Sequence, residues 1–182
     1  MSKVSLKNYD NSWFQPGNKT KIALWIFVNA IFFRTLLPIP IPVKLIILRV
    51  FGAKIGDGVI IKPNVNIKYP WNLVLGNNTW VGEGVWIDNL DIVKVGDNCC
   101  LSQGCYLLTG NHDFTTQNFD LMIDKIDIQN EAWVGAQSVV CPGVTLGRGA
   151  ILTVGSIATK NLDQLGIYQG NPAIKIKERV IS

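Results

Sequence analysis

Residues 128–163 divide without remainder into six-residue units, IQNEAW, VGAQSV, VCPGVT, LGRGAI, LTVGSI and ATKNLD. The first position is apolar throughout: Ile128, Val134, Val140, Leu146, Leu152 and Ala158. The fifth is small or β-branched in Ala132, Ser138, Val144, Ala150 and Ser156, and Leu162 departs from that rule. An ordinary half-buried strand alternates with a period of two, which does not set aliphatic residues at every sixth position. A unit this short suits a short strand and a corner, with the aliphatic residue pointing inward and the small one leaving the chain room to turn. Three units close a triangular coil, and a coil buries its apolar residues only by stacking on its neighbours.

The phase resets at each coil toward the N-terminus. Ile55-Gly56, Leu75-Gly76 and Val95-Gly96 open the phrases IGDGVI, LGNNTW and VGDNCC, so the coils start at 55, 75, 95, 128 and 146. Two intervals are 20, the last is 18 (146 − 128), and 128 − 95 is 33, an excess of 15 over one 18-residue coil. The excess is one loop, residues 110–125. Five coils at about 4.8 Å each predict a prism about 24 Å tall. The organisation expected is an N-terminal arm and apolar helical segment over 1–54 capping the solenoid, a β-helix over 55–163, and a tail over 164–182.

Residues 1–20 read as an irregular arm packed on the body by Trp13 and Phe14. Two apolar runs follow, 22–33 and 43–51, separated by the Pro-rich LLPIPIP. Neither reaches the roughly 20 residues that span a bilayer. They suit either a cap on the open end of the prism, which would otherwise expose a sheet edge, or helices lying in a membrane interface. Sixth positions point outward in this scheme, yet Trp80, Trp86, Tyr106 and Trp133 occupy them, which predicts a subunit interface or a ligand platform.

Charge and cysteine content narrow the partners. A formal charge of +4 without a dense Lys/Arg stripe gives no reason to propose a nucleic acid. Four cysteines without zinc-type pairs, and a chain start without a cleavable apolar leader, point to reduced thiols in the cytoplasm. His112 is the single histidine and lies in the one long loop. Histidine titrates near neutrality and can accept a proton from an attacking hydroxyl, and a rigid scaffold presenting a loop is where catalysis concentrates.

The hexads, with GNHD, WVGA, PGVTLGRGA, GSIATK and GNPA, resemble those of the left-handed β-helix acyltransferases, in the branch of maltose and galactoside acetyltransferases. The phrases YDNSWFQPG, ALWIFVNAIFF, FGAKIGDGVIIKP, NIKYPWNL, VWIDNL, SQGCYLLTGNHD and FDL resemble more closely the colanic acid biosynthesis acetyltransferase family, over nearly the whole chain. The resemblance implies the left-handed winding. It also implies transfer of an acetyl group from acetyl-CoA to a sugar hydroxyl, on an exopolysaccharide precursor, at sites between subunits of a homotrimer. His112 would then be the general base, with Asp88, Asn89 and Asp113 on the saccharide acceptor. Ala136 and Val154 would offer backbone groups to the pantetheine arm, Trp133 would close over it, and Thr159, Lys160 and Lys175 would meet the far part of CoA. LTVGS stands where relatives have GAGS, adding bulk beside the arm. The location expected is the cytoplasm, with peripheral contact to the inner membrane's cytoplasmic face through residues 22–51.

Other chemistries fit less well. A carbonic anhydrase on this fold needs three metal histidines, so no metal is expected. An amino-sugar or antibiotic acceptor needs less of a base than a hydroxyl does. A cysteine nucleophile is disfavoured because Cys105 should face the interior and a thioester is already activated. A scaffold that has lost turnover remains the non-enzyme alternative.

Overall fold

The computed structural model describes residues 3–181. Its body is a left-handed parallel β-helix with three sheets as faces. The first face stacks Lys54–Ile55, Leu73–Leu75, Val93–Val95, Ile126–Ile128 and Thr145–Leu146. The second stacks Ile60–Ile61, Trp80–Val81, Cys100–Leu101, Trp133–Val134, Ile151–Leu152 and Gly166–Gln169, and ends on the antiparallel strand Ile174–Glu178. The third stacks Asn66–Ile67, Trp86–Asp88, Tyr106–Leu108, Val139–Val140 and Ile157–Ala158. The register joins Ile55, Leu75, Val95, Ile128 and Leu146 into one interior ladder. Leu162 extends it through a bridge to Leu146. Five full coils are therefore followed by a partial sixth, in which Leu162 is a ladder residue rather than a broken fifth position.

The fifth positions Cys99, Cys105, Ala132, Ser138, Val144, Ala150 and Ser156 are all buried, because the chain folds inward immediately before each strand. The corner after the first face needs left-handed backbone, supplied by Gly58, Asn78, Asn98, Glu131 and Gly149. Asn and Gly tolerate that conformation best. Beside it runs a side-chain ladder: the amide of Asp57 donates to Asn77, that of Asn77 to Asp97, and that of Asp97 to Asn130. Those bonds account for the polar residues that follow the ladder positions in the sequence.

Two helices, α1 (Lys19–Phe32) and α2 (Ile41–Val50), precede the coils. Asn18 caps α1 by accepting from the amides of Thr20 and Lys21. The carbonyls at the edge of the first coil are met face by face. Arg49 donates to the carbonyls of Ile55 and Gly56, buried Lys44 to those of Ile61 and Lys62, and the Trp25 indole to that of Ile67. Each pairing satisfies acceptors that an unpaired sheet edge leaves open. In the N-terminal arm Phe14 is half-buried, whereas Trp13 lies edge-on to it and is exposed, contrary to its expected packing on the body.

Candidate active site at the insertion corner

The irregularities of the solenoid collect at one corner, between the third face and the first. Residues 68–72 fill it in the first coil, 89–92 in the second and 109–125 in the third. The 20-residue intervals are this corner's extra residues. In the third coil the chain leaves as a hairpin, Gly110–His112 paired antiparallel to Leu121–Ile123, with His112 opposite Leu121.

His112 is held from two sides. Its Nδ1 lies 2.9 Å from the carbonyl oxygen of Phe119, and its ring stacks on the Phe119 ring with centroids 4.4 Å apart and planes 8° from parallel. A carbonyl only accepts, so in the neutral ring Nδ1 carries the proton and Nε2 the lone pair, the tautomer a general base requires. The Tyr9 ring tilts over the imidazole at 5.5 Å. The arm is tied to the loop by the Ser5 amide, which donates to the carbonyl of Gln117 at 2.9 Å.

His112 opens on a cavity of about 550 Å³ shared with Asp88, Lys68, Tyr69, Asn111 and the arm residues Tyr9 and Asn11. Asp88 is nearly buried. Its Oδ1 lies 2.9 Å from the Lys68 ammonium but off the line of a good hydrogen bond, and its Oδ2 accepts from the Tyr106 hydroxyl at 3.5 Å. Burial and the Asp88 charge push the Tyr106 hydroxyl up to about 12, so it stays a donor. Asn89 is fully buried and exchanges two hydrogen bonds with the Tyr69 backbone. It shapes the cavity wall from behind. Asp113 accepts from the amide and hydroxyl of Thr115, which hold its carboxyl below the usual range, and it is not among the residues lining the cavity.

The other sequence-derived positions divide by corner. Thr159 and Lys160 follow the fifth strand of the third face, at the same corner as His112 and two coils further on. Ala136 and Val154 sit at the corner between the second and third faces, one above the other: the Gly155 amide donates to the Ala136 carbonyl at 2.8 Å. Trp133 faces outward on the second face and donates from its indole to the Ser102 hydroxyl. Lys175 is paired with Asp163 at 3.3 Å and Glu178 at 2.8 Å. One chain therefore brings His112 and Asp88 together and leaves Ala136, Val154 and Trp133 on other parts of its surface. Sequence reasoning missed Lys68, Tyr69, Tyr9 and Asn11; the two extra residues in the 55-to-75 interval were the signal for the first pair.

The two interior cysteines, Cys99 and Cys105, are poor nucleophiles. All four are free, and burial pushes the thiols of Cys99 and Cys105 up to about 11 and about 12. Among the described residues no group of three or more His, Cys, Asp or Glu side chains is gathered as a metal site.

No family model matches the chain. It is 39% identical over 167 residues, 92% of each chain, to the Escherichia coli (strain K12) protein WcaF, which carries the name of a colanic acid biosynthesis acetyltransferase. It is 30% identical over 129 residues to the galactoside O-acetyltransferase of the same organism, covering 69% of this chain and 64% of that one. Among solved structures, a hexapeptide-repeat acetyltransferase from Vibrio cholerae superposes with a TM-score of 0.81 at 15% identity, over 95% and 96% of the two chains. A galactoside acetyltransferase solved with coenzyme A gives 0.79 at 24% identity, over 87% and 80%. With 39% identity across nearly its full length, and with the phrases of its arm, corners and hairpin folded around one histidine, the chain belongs to the colanic acid biosynthesis acetyltransferase family of left-handed β-helix acyltransferases.

Proposed function

We propose that the protein transfers an acetyl group from acetyl-CoA to a hydroxyl of a saccharide acceptor in surface-polysaccharide biosynthesis. The observation that carries this reading is the fixed tautomer of His112 at the mouth of a polar cavity. As the acceptor oxygen attacks the thioester carbonyl, Nε2 takes its proton. The tetrahedral intermediate then collapses, the C–S bond breaks, and the imidazolium returns the proton to the departing CoA sulfur. Asp88, between Lys68 and Tyr106, accepts a hydrogen bond from the acceptor and orients it. Asn89 positions Tyr69.

Binding of CoA along Ala136, Val154, Trp133, Thr159 and Lys160 is part of this proposal. Lys160 is exposed and has no carboxylate partner among the described residues, as suits a phosphate contact. Lys175 meets CoA only by leaving its two carboxylates. Since Ala136 and Val154 lie a corner away from His112, the complete site forms between copies in a homotrimer. Exposed Trp80, Trp86 and Trp133 supply apolar surface for that contact.

Isothermal titration of acetyl-CoA, paired with release of free CoA over a panel of saccharides, tests the reaction. Wild type and His112→Ala should bind acetyl-CoA equally, while turnover falls about 10²- to 10⁴-fold in the variant. Equal turnover in both would remove His112 from the chemistry.

The reading also places the protein in the cytoplasm, docked on the inner membrane's cytoplasmic face through residues 22–51. No helix among the described residues is long and apolar enough to cross a membrane. Yet α1 and α2 are apolar on both sides. Trp25 and Leu48 are buried, while Leu24, Phe27 and Ile31 on α1 and Val43, Ile46 and Val50 on α2 repeat the three- and four-residue helical spacing outward. A helix apolar all round is either buried or faces lipid. Residues 11–56 hold six Lys or Arg and not one Asp or Glu, which complements an anionic surface. The protein should co-sediment with vesicles containing anionic phospholipid, and Phe27→Asp with Ile46→Asp should abolish this; retention by the double variant would refute the docking.

A further inference from the structure

Phe119 meets His112 twice. Its carbonyl accepts from Nδ1 at 2.9 Å, and its ring lies flat against the imidazole, with centroids 4.4 Å apart and planes 8° from parallel. The backbone makes this residue type unexpected. Phe119 has a φ of 55°, in the left-handed region that glycine and asparagine adopt most readily and where a bulky side chain is an outlier. The turn around it is built from polar contacts: the Phe119 amide donates to the Thr116 carbonyl, and the Asp120 amide to the Thr116 hydroxyl. Neither contact calls for a phenylalanine. Nor does the core, since Phe119 is half-buried and lies outside the apolar cluster that fills the prism. Among the described residues its aromatic partner is the histidine.

A base that takes a proton becomes a cation, and its surroundings must favour that charged form. In a catalytic triad a carboxylate on the far nitrogen does this. Here the far nitrogen meets a neutral carbonyl, and among the described residues no carboxylate pairs with His112. Asp88 is engaged by Lys68 and Tyr106, and Asp113 by Thr115. What faces the imidazole is the π-surface of Phe119, which is negative. Such a surface attracts a cation within about 6 Å of its centroid, and 4.4 Å is well inside that reach. A neutral imidazole gains little from the same surface, so the attraction grows as the proton arrives. That is the condition for lowering a barrier rather than tightening a ground state.

We propose that Phe119 is the positioning residue of His112, and that its ring stabilises the imidazolium formed when Nε2 takes the proton of the attacking hydroxyl. The ring fills the part that a carboxylate plays in a triad, and the left-handed backbone at Phe119 aims carbonyl and ring at one imidazole together. Phe119 does not line the cavity, so it acts through the histidine and not on either substrate. The inference rests on the reading of His112 as the general base.

His112 is the single histidine, which makes the test independent of the acceptor. Diethyl pyrocarbonate acylates Nε2 with release of carbon dioxide and ethanol, and the imidazole gains cationic character in that attack as it does on taking a proton. Phenylalanine analogues with one, three and five ring fluorines at position 119 keep the shape nearly constant and drain negative charge from the ring face. Each step should slow the acylation, followed by ultraviolet absorbance, reaching about fivefold with five fluorines, in keeping with a partly solvated cation over a ring. Phe119→Leu should slow it about as much, whereas Phe119→Tyr, which keeps the π-face, should stay within about twofold of wild type. Turnover of acetyl-CoA over the saccharide panel should follow the same order in kcat, with KM for acetyl-CoA unchanged. Equal or rising acylation rates across the fluorinated series would overturn the role of the ring, and so would a Phe119→Leu protein as fast as Phe119→Tyr. His112→Ala assayed alongside separates the two readings. If that variant loses turnover and the fluorinated series is flat, the base stands and the ring's role falls; if it keeps full turnover, the histidine is not the base and the proposal falls with that reading.

Discussion

At the scale of the residue, the proposed function gives Asp88 the task of orienting the acceptor. Its two oxygens face an ammonium and a phenol whose pKa is pushed up to about 12, so the carboxylate is held in place between two donors. Asp88→Asn keeps the shape and loses the charge. The lost charge-assisted hydrogen bond is worth about 1.5 kcal/mol, so KM for the saccharide should rise about tenfold, with acetyl-CoA affinity unchanged. Saturation kinetics in each substrate separately check this, and an unchanged saccharide KM would remove Asp88 from the acceptor site. Tyr106→Phe should follow in the same direction with a smaller effect, because the bond it removes is long.

At the scale of the element, α2 closes the open edge of the first coil, and Lys44 shows how. Its ammonium is buried against the carbonyls of Ile61 and Lys62, and burial lowers its pKa. Lys44→Met keeps the stem and deletes the donor. Two edge carbonyls then lose their partner, offset in part by removal of a buried charge. A net loss of about 1–2 kcal/mol, or about 3–6 °C in Tm, is expected, and an equal or higher melting temperature would show that the edge does not need the cation. The coils themselves were legible in the sequence, since a ladder residue that slips out of phase exposes an aliphatic side chain in every coil above it. The contacts of Lys44 and Arg49 were not. A cation inside an apolar run announces that something polar is near, but which carbonyl it meets depends on how the helix crosses the first coil. The tip of the ladder escaped for another reason: Leu162 follows Leu146 after sixteen residues (162 − 146), and a fixed period of eighteen passes over it.

At the scale of the whole molecule, the triangular prism sets the residues of the proposed site at two different corners. His112 was legible because it is the one histidine in the one long insertion; Tyr9, Asn11 and Lys68 were not, because each belongs to a segment with no periodic signal and reaches the cavity only when the arm folds back along the insertion corner. That corner holds His112, while Ala136 and Val154 lie at the next corner, so the proposed function needs a second copy to complete each site. Subunit mixing turns this into a measurement. Val154 is 70% exposed, and Val154→Arg should block the proposed pantetheine path without disturbing the coil. Homotrimers of His112→Ala and of Val154→Arg should each be inactive. If every site takes its histidine from one copy and its CoA corner from the next, trimers assembled at random from equal amounts of both should recover about a quarter of wild-type sites. If each chain instead builds its own site, every chain carries one defect and the mixture stays silent, and the interface placement of the cofactor would have to be abandoned.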